Sequence, residues 1–231
     1  MASSAEAGTV LVLWERSVPS MSKKTSLGDG FTGSPPKSDY VQYSKTGPGL
    51  QRLGGERCGI LMDEYFPLPI EKWKEIMTPI KKKEPYILVY DFESNNEIER
   101  FCKEYAKEKG LKIYSINDTY PKMYADKNFS SAGPREFLSL IYNCDAFVSI
   151  SFHGTAFSII FDRPVFVFNR NRHKVNSRME SLTRLFGIEE CIVPENFNIA
   201  KYTAMPFDFE RIKKTRLDEL EKSKEFLKAL L

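Results

Sequence analysis

Short apolar runs alternate with amphipathic helical segments from residue 61 onward, and this alternation constrains the fold more than any other feature. Tyr86 to Tyr90 and Leu111 to Ile116 are apolar enough to form buried strands. Between them, Asn95 to Lys109 carries apolar side chains at helical spacing, and Gly110 follows as a C-cap. Because strands joined by helices form parallel sheets, we expect an α/β, Rossmann-like, mostly parallel sheet of about five or six strands flanked by helices.

The remaining segments extend this alternation to the end of the chain. Helices are predicted at Pro69 to Met77, Pro134 to Asn143, Thr155 to Phe161, Arg178 to Phe186 and Phe209 to Leu230. Strands are predicted at Ala146 to Ser151, Val165 to Phe168 and Cys191 to Val193. Residues 1–60 differ, because Ser, Gly, Pro and Lys dominate and no periodicity persists. We therefore expect a low-order, disordered leader over residues 1–60 and one domain over residues 61–231.

Composition excludes several classes of protein. The net charge is +3, from 34 basic and 31 acidic residues, which does not predict a nucleic-acid surface. No run of 18 apolar residues occurs, so no membrane span is expected, and the first twenty residues lack the pattern of a secretory signal. We expect a cytoplasmic protein. The four cysteines lack metal-ligand or disulfide spacing, which predicts no metal site, and Cys144 is interpreted as a packing thiol.

One of the two histidines, His153, lies where an apolar strand run meets the predicted start of a helix. Ligands of open α/β sheets bind outside the carboxyl ends of the strands, and a helix amino terminus there attracts anions. Imidazole can donate or remove a proton near neutral pH, so His153 is the candidate catalytic residue, although a structural histidine is the alternative. Ser151, Gly154 and Thr155 are candidate anion-binding neighbours, with Gly154 allowing a ligand to approach the backbone.

A basic segment, NRNRHKVNSR, follows the strand predicted at Val165 to Phe168. Its cations could bind a phosphate or a carboxylate at the same sheet edge as His153. The alternatives are a solvated loop and, for Asn176, a helix N-cap. Asp91 and Glu93 also follow a strand, but helix capping explains them better than catalysis. The candidate binding residues of this segment are Arg170, Lys174, Asn176 and Arg178.

Several of these segments occur in the order and at the spacing of a known family. The pieces are EFLSLIYNCD, SFHGTAFSIIF, PVFVF and NSRMESLTRLFG, with weaker similarity in EKWKEI and PYILVYDFE. Together they resemble the carboxyl-terminal part of the polysaccharide pyruvyl transferases, over roughly residues 61–200. The resemblance implies one half of a two-domain, glycosyltransferase-like (GT-B) architecture.

The resemblance also implies a chemistry and a set of partners. The implied reaction is the transfer of pyruvate from phosphoenolpyruvate to a hydroxyl of a cell-surface polysaccharide, as in exopolysaccharide biosynthesis. His153 matches the histidine of the family motif and would act in acid/base chemistry or donor binding, while Arg178 and Lys174 would support the anions. Phosphoenolpyruvate would be the donor substrate and a saccharide the acceptor, with no metal or redox cofactor.

The sequence departs from the family pattern in two ways. Members usually have a whole amino-terminal domain before the matching part, where this chain has about sixty low-order residues. Some members also have an arginine at the position of Ser151. A truncated enzyme, or one whose missing domain comes from a separate chain, is therefore expected. A nucleotide-sugar glycosyltransferase and a non-catalytic, anion-binding remnant are the alternative functions.

Overall fold

The computed structural model describes residues 69–81, 84–93, 95–117, 120–169 and 177–230, with side chains of all of these except 177, 178 and 223–230. The leader predicted for residues 1–60 lies outside the described residues. The strands are β1 (Tyr86–Tyr90), β2 (Lys112–Ile116), β3 (Lys127–Phe129), β4 (Ala146–Ser149) and β5 (Val165–Val167). The helices are α1 (Ile70–Ile76), α2 (Asn96–Lys109), α3 (Pro134–Asn143), α4 (Phe152–Ile160), α5 (Ser177–Leu185), α6 (Ile199–Thr203) and α7 (Phe209–Leu230), with a 3₁₀ turn at Glu189–Cys191.

The five strands form one parallel sheet in the order β3-β2-β1-β4-β5. Leu88 in the central strand pairs with Tyr114 on one side and Phe147 on the other. The Rossmann-like α/β fold predicted from the alternation is therefore confirmed. Because the chain moves outward from β1 through β2 to β3 and then returns to place β4 beside β1, the direction of winding reverses between β1 and β4. Ligands of open α/β sheets bind at such a reversal.

Helices cover both faces of the sheet, which explains why β1 is buried along its whole length. One face packs against α1, α3, α4 and α5, where Trp73 of α1 meets Phe157 of α4 edge to face at 5.0 Å. The other face packs against α2 and α6, where Phe101 of α2 contacts Phe166 of β5 and Tyr202 of α6. This three-layer packing fixes the position of α4 against β4.

Local signals set the ends of several helices. The Asn95 side chain accepts a hydrogen bond from the Glu97 N–H and begins α2. Gly110 ends α2 with a φ of 65°, a left-handed conformation that glycine adopts without strain. Pro134 occupies the first position of α3, where its missing N–H has no cost. These three helix ends lie where the sequence predicts them, to within one residue.

The structure corrects other boundaries. The helix predicted to start at Thr155 begins at Phe152, because Ser151 caps it. The strand predicted at Cys191 to Val193 is a 3₁₀ turn followed by a single parallel bridge between Ile192 and Val167. In the last helix, Ile212 is buried, whereas Leu217 is 51% exposed. None of the described helices combines the length and the apolar character needed to cross a membrane.

Candidate functional site

At the reversal point, the side chain of Ser149 joins β4 to β1. The Ser149 hydroxyl at the end of β4 donates to the Tyr90 carbonyl of β1 at 3.1 Å. The same oxygen accepts the Ser151 N–H at 2.9 Å. These bonds tie the ends of the two strands together and direct the chain into α4. The buried Ser149 hydroxyl is thus a structural group at the base of the candidate site.

The first turn of α4 begins at this point. The Ser151 hydroxyl accepts the Gly154 N–H at 3.4 Å, and the Ser151 carbonyl accepts both the N–H and the hydroxyl of Thr155 at 3.0 Å. Thr155 is buried and its hydroxyl bonds within the helix, so the structure gives this side chain a local role. No acidic residue lies in the first turn, so no carboxylate of that turn offsets the partial positive charge of the helix amino end.

His153 is the second residue of α4 and is only partly buried. Its ring lies edge to face with that of Phe152, with the centroids 5.8 Å apart. The imidazole therefore occupies the amino end of a helix at the carboxyl edge of the sheet, one residue inside the helix rather than before it. A proton donor in this position is close to the amino end of a helix, whose partial positive charge favours a bound anion.

Gly154 has a packing role in the structure. A Cβ atom at this position would lie 2.7 Å and 2.8 Å from two ring carbons of Phe147 in β4. Gly154 is buried, and its missing side chain lets α4 approach the strand. From the sequence, we expected Gly154 to allow a ligand to approach the backbone. The structure shows close approach by Phe147, and donor binding at Gly154 stays a prediction.

The predicted basic segment follows β5, the neighbour of β4 in the sheet. Asn169 is exposed at this edge, but Arg170, Lys174 and Asn176 lie outside the described residues. Arg178 belongs to α5, but its side chain is not among those that the structure describes. The anion-binding roles of these four residues therefore stay predictions.

A buried ion pair, which the sequence did not reveal, lies beside the reversal point. Lys122 Nζ is 3.0 Å from Asp91 Oδ2, and Asp91 is 1% exposed. The Asp91 carboxylate also accepts the N–H groups of Glu93 and Asn95 at 2.9 Å. The helix cap is Asn95 rather than Asp91, so the capping role expected for Asp91 is wrong, and its carboxylate holds the loop before α2 instead. Its partner gave no signal, because Lys122 is 31 positions away and lysines are seldom buried.

The cysteines of the described residues have packing roles. Cys102, Cys144 and Cys191 are buried and reduced, which confirms the packing role predicted for Cys144. Burial raises the pKa of Cys191 to about 12, so this thiol is a poor nucleophile at neutral pH. Within the described ranges, no group of three or more His, Cys, Asp or Glu side chains could hold a metal ion.

Two surface grooves lie away from His153. One, of about 460 Å³, is formed between the 3₁₀ turn and α6 and includes Glu190, Phe197 and Lys201. The other, of about 330 Å³, lies where β4 and β5 begin and includes Asp145 and Pro164. The second is at the amino edge of the sheet, opposite to the edge where ligands of this fold bind. The position of His153, rather than either groove, therefore defines the candidate site.

The family match covers most of this sheet. Residues 42–172 match the family model described as polysaccharide pyruvyl transferase, which is more than half of the 231 residues. The match includes all five strands and His153. It starts inside the predicted leader and stops before the NSRMESLTRLFG segment, so its bounds differ from the roughly 61–200 of the resemblance. No curated protein matches the chain.

Proposed function

Because the chain belongs to the polysaccharide pyruvyl transferase family, we propose that it transfers pyruvate from phosphoenolpyruvate to hydroxyls of a saccharide. The observation that carries the proposal is the position of His153 at the amino end of α4, beside the reversal between β1 and β4. A small phosphorylated acid needs N–H groups or cations for its charges and a proton donor for its enol carbon. At this edge of the sheet the amino end of α4 would attract the anion, and His153 would donate the proton.

The proposed reaction starts with proton transfer from His153 to the methylene carbon of phosphoenolpyruvate. One acceptor hydroxyl adds to the adjacent carbon, and phosphate then leaves from that carbon. A second hydroxyl adds in its place and completes a ketal. One hydroxyl proton returns to His153 and the other leaves with phosphate or solvent, so the protons balance. The basic residues Arg170, Lys174 and Arg178, with the helix amino end, would stabilise the carboxylate and phosphate of the donor.

A phosphate-release assay tests this proposal. The full chain is incubated with phosphoenolpyruvate and methyl hexopyranosides, and the products are identified by mass spectrometry. We expect phosphate and a pyruvylated glycoside from the wild type, and a rate lower by about 10²–10⁴-fold from His153→Asn. Glu190→Gln, an exposed residue in the groove near α6, is the control and should match the wild type.

Ligand protection separates this function from a nucleotide-sugar glycosyltransferase. A ligand that binds the folded state raises the unfolding temperature with the logarithm of its concentration. We expect phosphoenolpyruvate to raise that temperature and uridine diphosphate to leave it unchanged. Protection by uridine diphosphate alone, or a His153→Asn variant as active as the wild type, would refute the proposed function.

A further inference from the structure

Exposed apolar side chains are concentrated at one edge of the sheet. Among the described residues, four large hydrophobic side chains are exposed, and three of them follow β1 or β2 at their carboxyl ends. These three are Phe92, which is 44% exposed, Tyr120 at 77% and Met123 at 92%. We name them the apolar rim. Clustered exposure of this kind marks binding surfaces more often than scattered exposure does.

The ion pair between Asp91 and Lys122 brings the chain next to two members of the rim, Phe92 and Met123, together. Asp91 precedes Phe92, and Lys122 precedes Met123, so a contact of 3.0 Å joins the loop after β1 to the loop after β2. The ion pair is buried, whereas its sequence neighbours Phe92 and Met123 are exposed. The ion pair therefore holds the chain at Phe92 and the chain at Met123 close to each other at this edge.

Further hydrogen bonds hold the loop after β2 in place. The Asn128 side chain accepts the Lys122 N–H at 2.8 Å and donates to the Lys122 carbonyl at 3.1 Å. The same side chain accepts from Asn117 Nδ2 at 2.9 Å. Phe92 is fixed as well, because its ring packs edge to face on that of Tyr90 at 5.6 Å. Phe92 and Lys122, the residue before Met123, are therefore held in place by these contacts.

The rim and His153 occupy neighbouring positions along the same edge. In the sheet order, β2 and β1 carry the rim and β4 leads into His153. The bond from Ser149 to the Tyr90 carbonyl joins the strand before His153 to the strand before Phe92. His153 thus follows β4, and the rim begins after β1, the two strands that this hydrogen bond joins.

We propose that the apolar rim is the acceptor platform, on which the apolar C–H face of a saccharide ring lies beside His153. This inference rests on the proposed function. Aromatic and thioether side chains give apolar contact to a sugar face, and the Tyr120 hydroxyl can bond a sugar hydroxyl. A multiply charged donor gains little from such a surface. A stable protein interface uses about 20–30 residues on each side, far more than the rim supplies.

Saturation-transfer NMR on the full chain tests the platform with methyl glucoside, galactoside and mannoside as probes. We expect at least one probe to bind the wild type, with transfer to its ring C–H protons. Tyr120→Ala should weaken binding by about fivefold, because apolar contact is lost. Leu217→Ala is the matched control, since Leu217 is an exposed apolar residue on α7, and it should bind like the wild type. Circular dichroism checks that both variants are folded.

The kinetic arm uses the same variants with phosphoenolpyruvate. We expect Tyr120→Ala to raise KM for the glycoside and to leave KM for phosphoenolpyruvate unchanged. If the wild type turns over and Tyr120→Ala binds the glycoside as tightly as the wild type does, the acceptor platform is refuted and the proposed function is not. Absence of any turnover or phosphoenolpyruvate binding would overturn the proposed function, and with it the acceptor role. Self-association of the wild type that Tyr120→Ala abolishes, with unchanged glycoside binding, would assign the rim to a second copy instead.

Discussion

The contact between Gly154 and Phe147 makes a sharp prediction for Gly154→Ala. The new methyl carbon would lie 2.7 Å from the Phe147 ring, which is closer than real carbon atoms approach. The ring is fully buried in β4, so it has little room to withdraw. Either α4 must move away from the strand or Phe147 must leave its place, and both changes disturb the turn that carries His153.

Two opposing effects set the magnitude. Alanine in place of glycine stabilises a helix interior by about 1 kcal/mol, and the gain is smaller in the first turn. Overpacking a buried contact costs about 1–3 kcal/mol. We expect the free energy of unfolding to fall by about 1–2 kcal/mol, which lowers Tm by roughly 2–8 °C in a chain of this size.

A double-mutant cycle measured by urea denaturation identifies the cause. Phe147→Leu removes the ring carbons that the new methyl would meet, so Gly154→Ala should cost less in that background than in the wild type. Gly110→Ala is the control, because nothing lies within 4 Å of its Cβ position and its cost comes from the φ of 65° alone. Phe147→Leu should not change the cost of Gly110→Ala. A Gly154→Ala protein as stable as the wild type, or an equal cost in both backgrounds, would refute the packing of α4 on β4.

Three other changes probe the loop after β1 and the two ends of α4. Asp91→Ala leaves Lys122 buried without its carboxylate and should lower the free energy of unfolding by about 3–5 kcal/mol in urea denaturation; a loss below about 1 kcal/mol would contradict the buried pair. Burial raises the pKa of Asp162 above its ordinary 3.8, so the folded state binds this proton more tightly, and stability should fall as the pH rises through the raised pKa. Asp162→Asn should abolish this fall when unfolding is compared at acidic and neutral pH, and an unchanged pH profile would exclude Asp162 as its source. Ser151→Ala removes the cap of α4 and should cost about 0.5–1 kcal/mol by thermal unfolding, near the low end because the bond is 3.4 Å long; no loss would show that the cap is idle.

Local signals were enough to predict most of the elements. Tyr86–Tyr90 is a strand because five successive apolar residues are buried on both faces of a parallel sheet. Proline at the start of α3 and glycine after α2 mark helix ends by their own backbone preferences. Such signals depend only on neighbouring residues, so a single sequence reveals them.

The elements that were missed depend on distant contacts. Lys127–Phe129 has no apolar pattern and is a strand because it pairs with β2, with Tyr114 opposite Lys127. The five-residue helix Ile199–Thr203 is too short for periodicity to show. The start of α4 was placed too late because Ser151 was assigned to the strand before it, although serine is also a recognisable N-cap.

In the candidate site too, features set by neighbouring residues were predictable, and features set by distant partners were not. The place of His153 after a strand and at a helix start was predictable from a local pattern, and the sheet order puts it at the reversal, whereas its catalytic role stays a prediction. The roles of Gly154 and Lys122 were not predictable, because each depends on a partner that the sequence does not pair with it. Gly154 meets Phe147 across the helix–strand contact, and Lys122 meets Asp91 from another loop.

The most direct test of a donor site at His153 is proton NMR of the imidazoles during a titration with phosphoenolpyruvate. The chain has only two histidines, so His153→Asn assigns the two sets of signals. We expect the His153 signal to shift saturably with phosphoenolpyruvate and to remain in place with uridine diphosphate. A His153 signal that phosphoenolpyruvate leaves unmoved at concentrations that raise the unfolding temperature would contradict a donor bound at this end of α4.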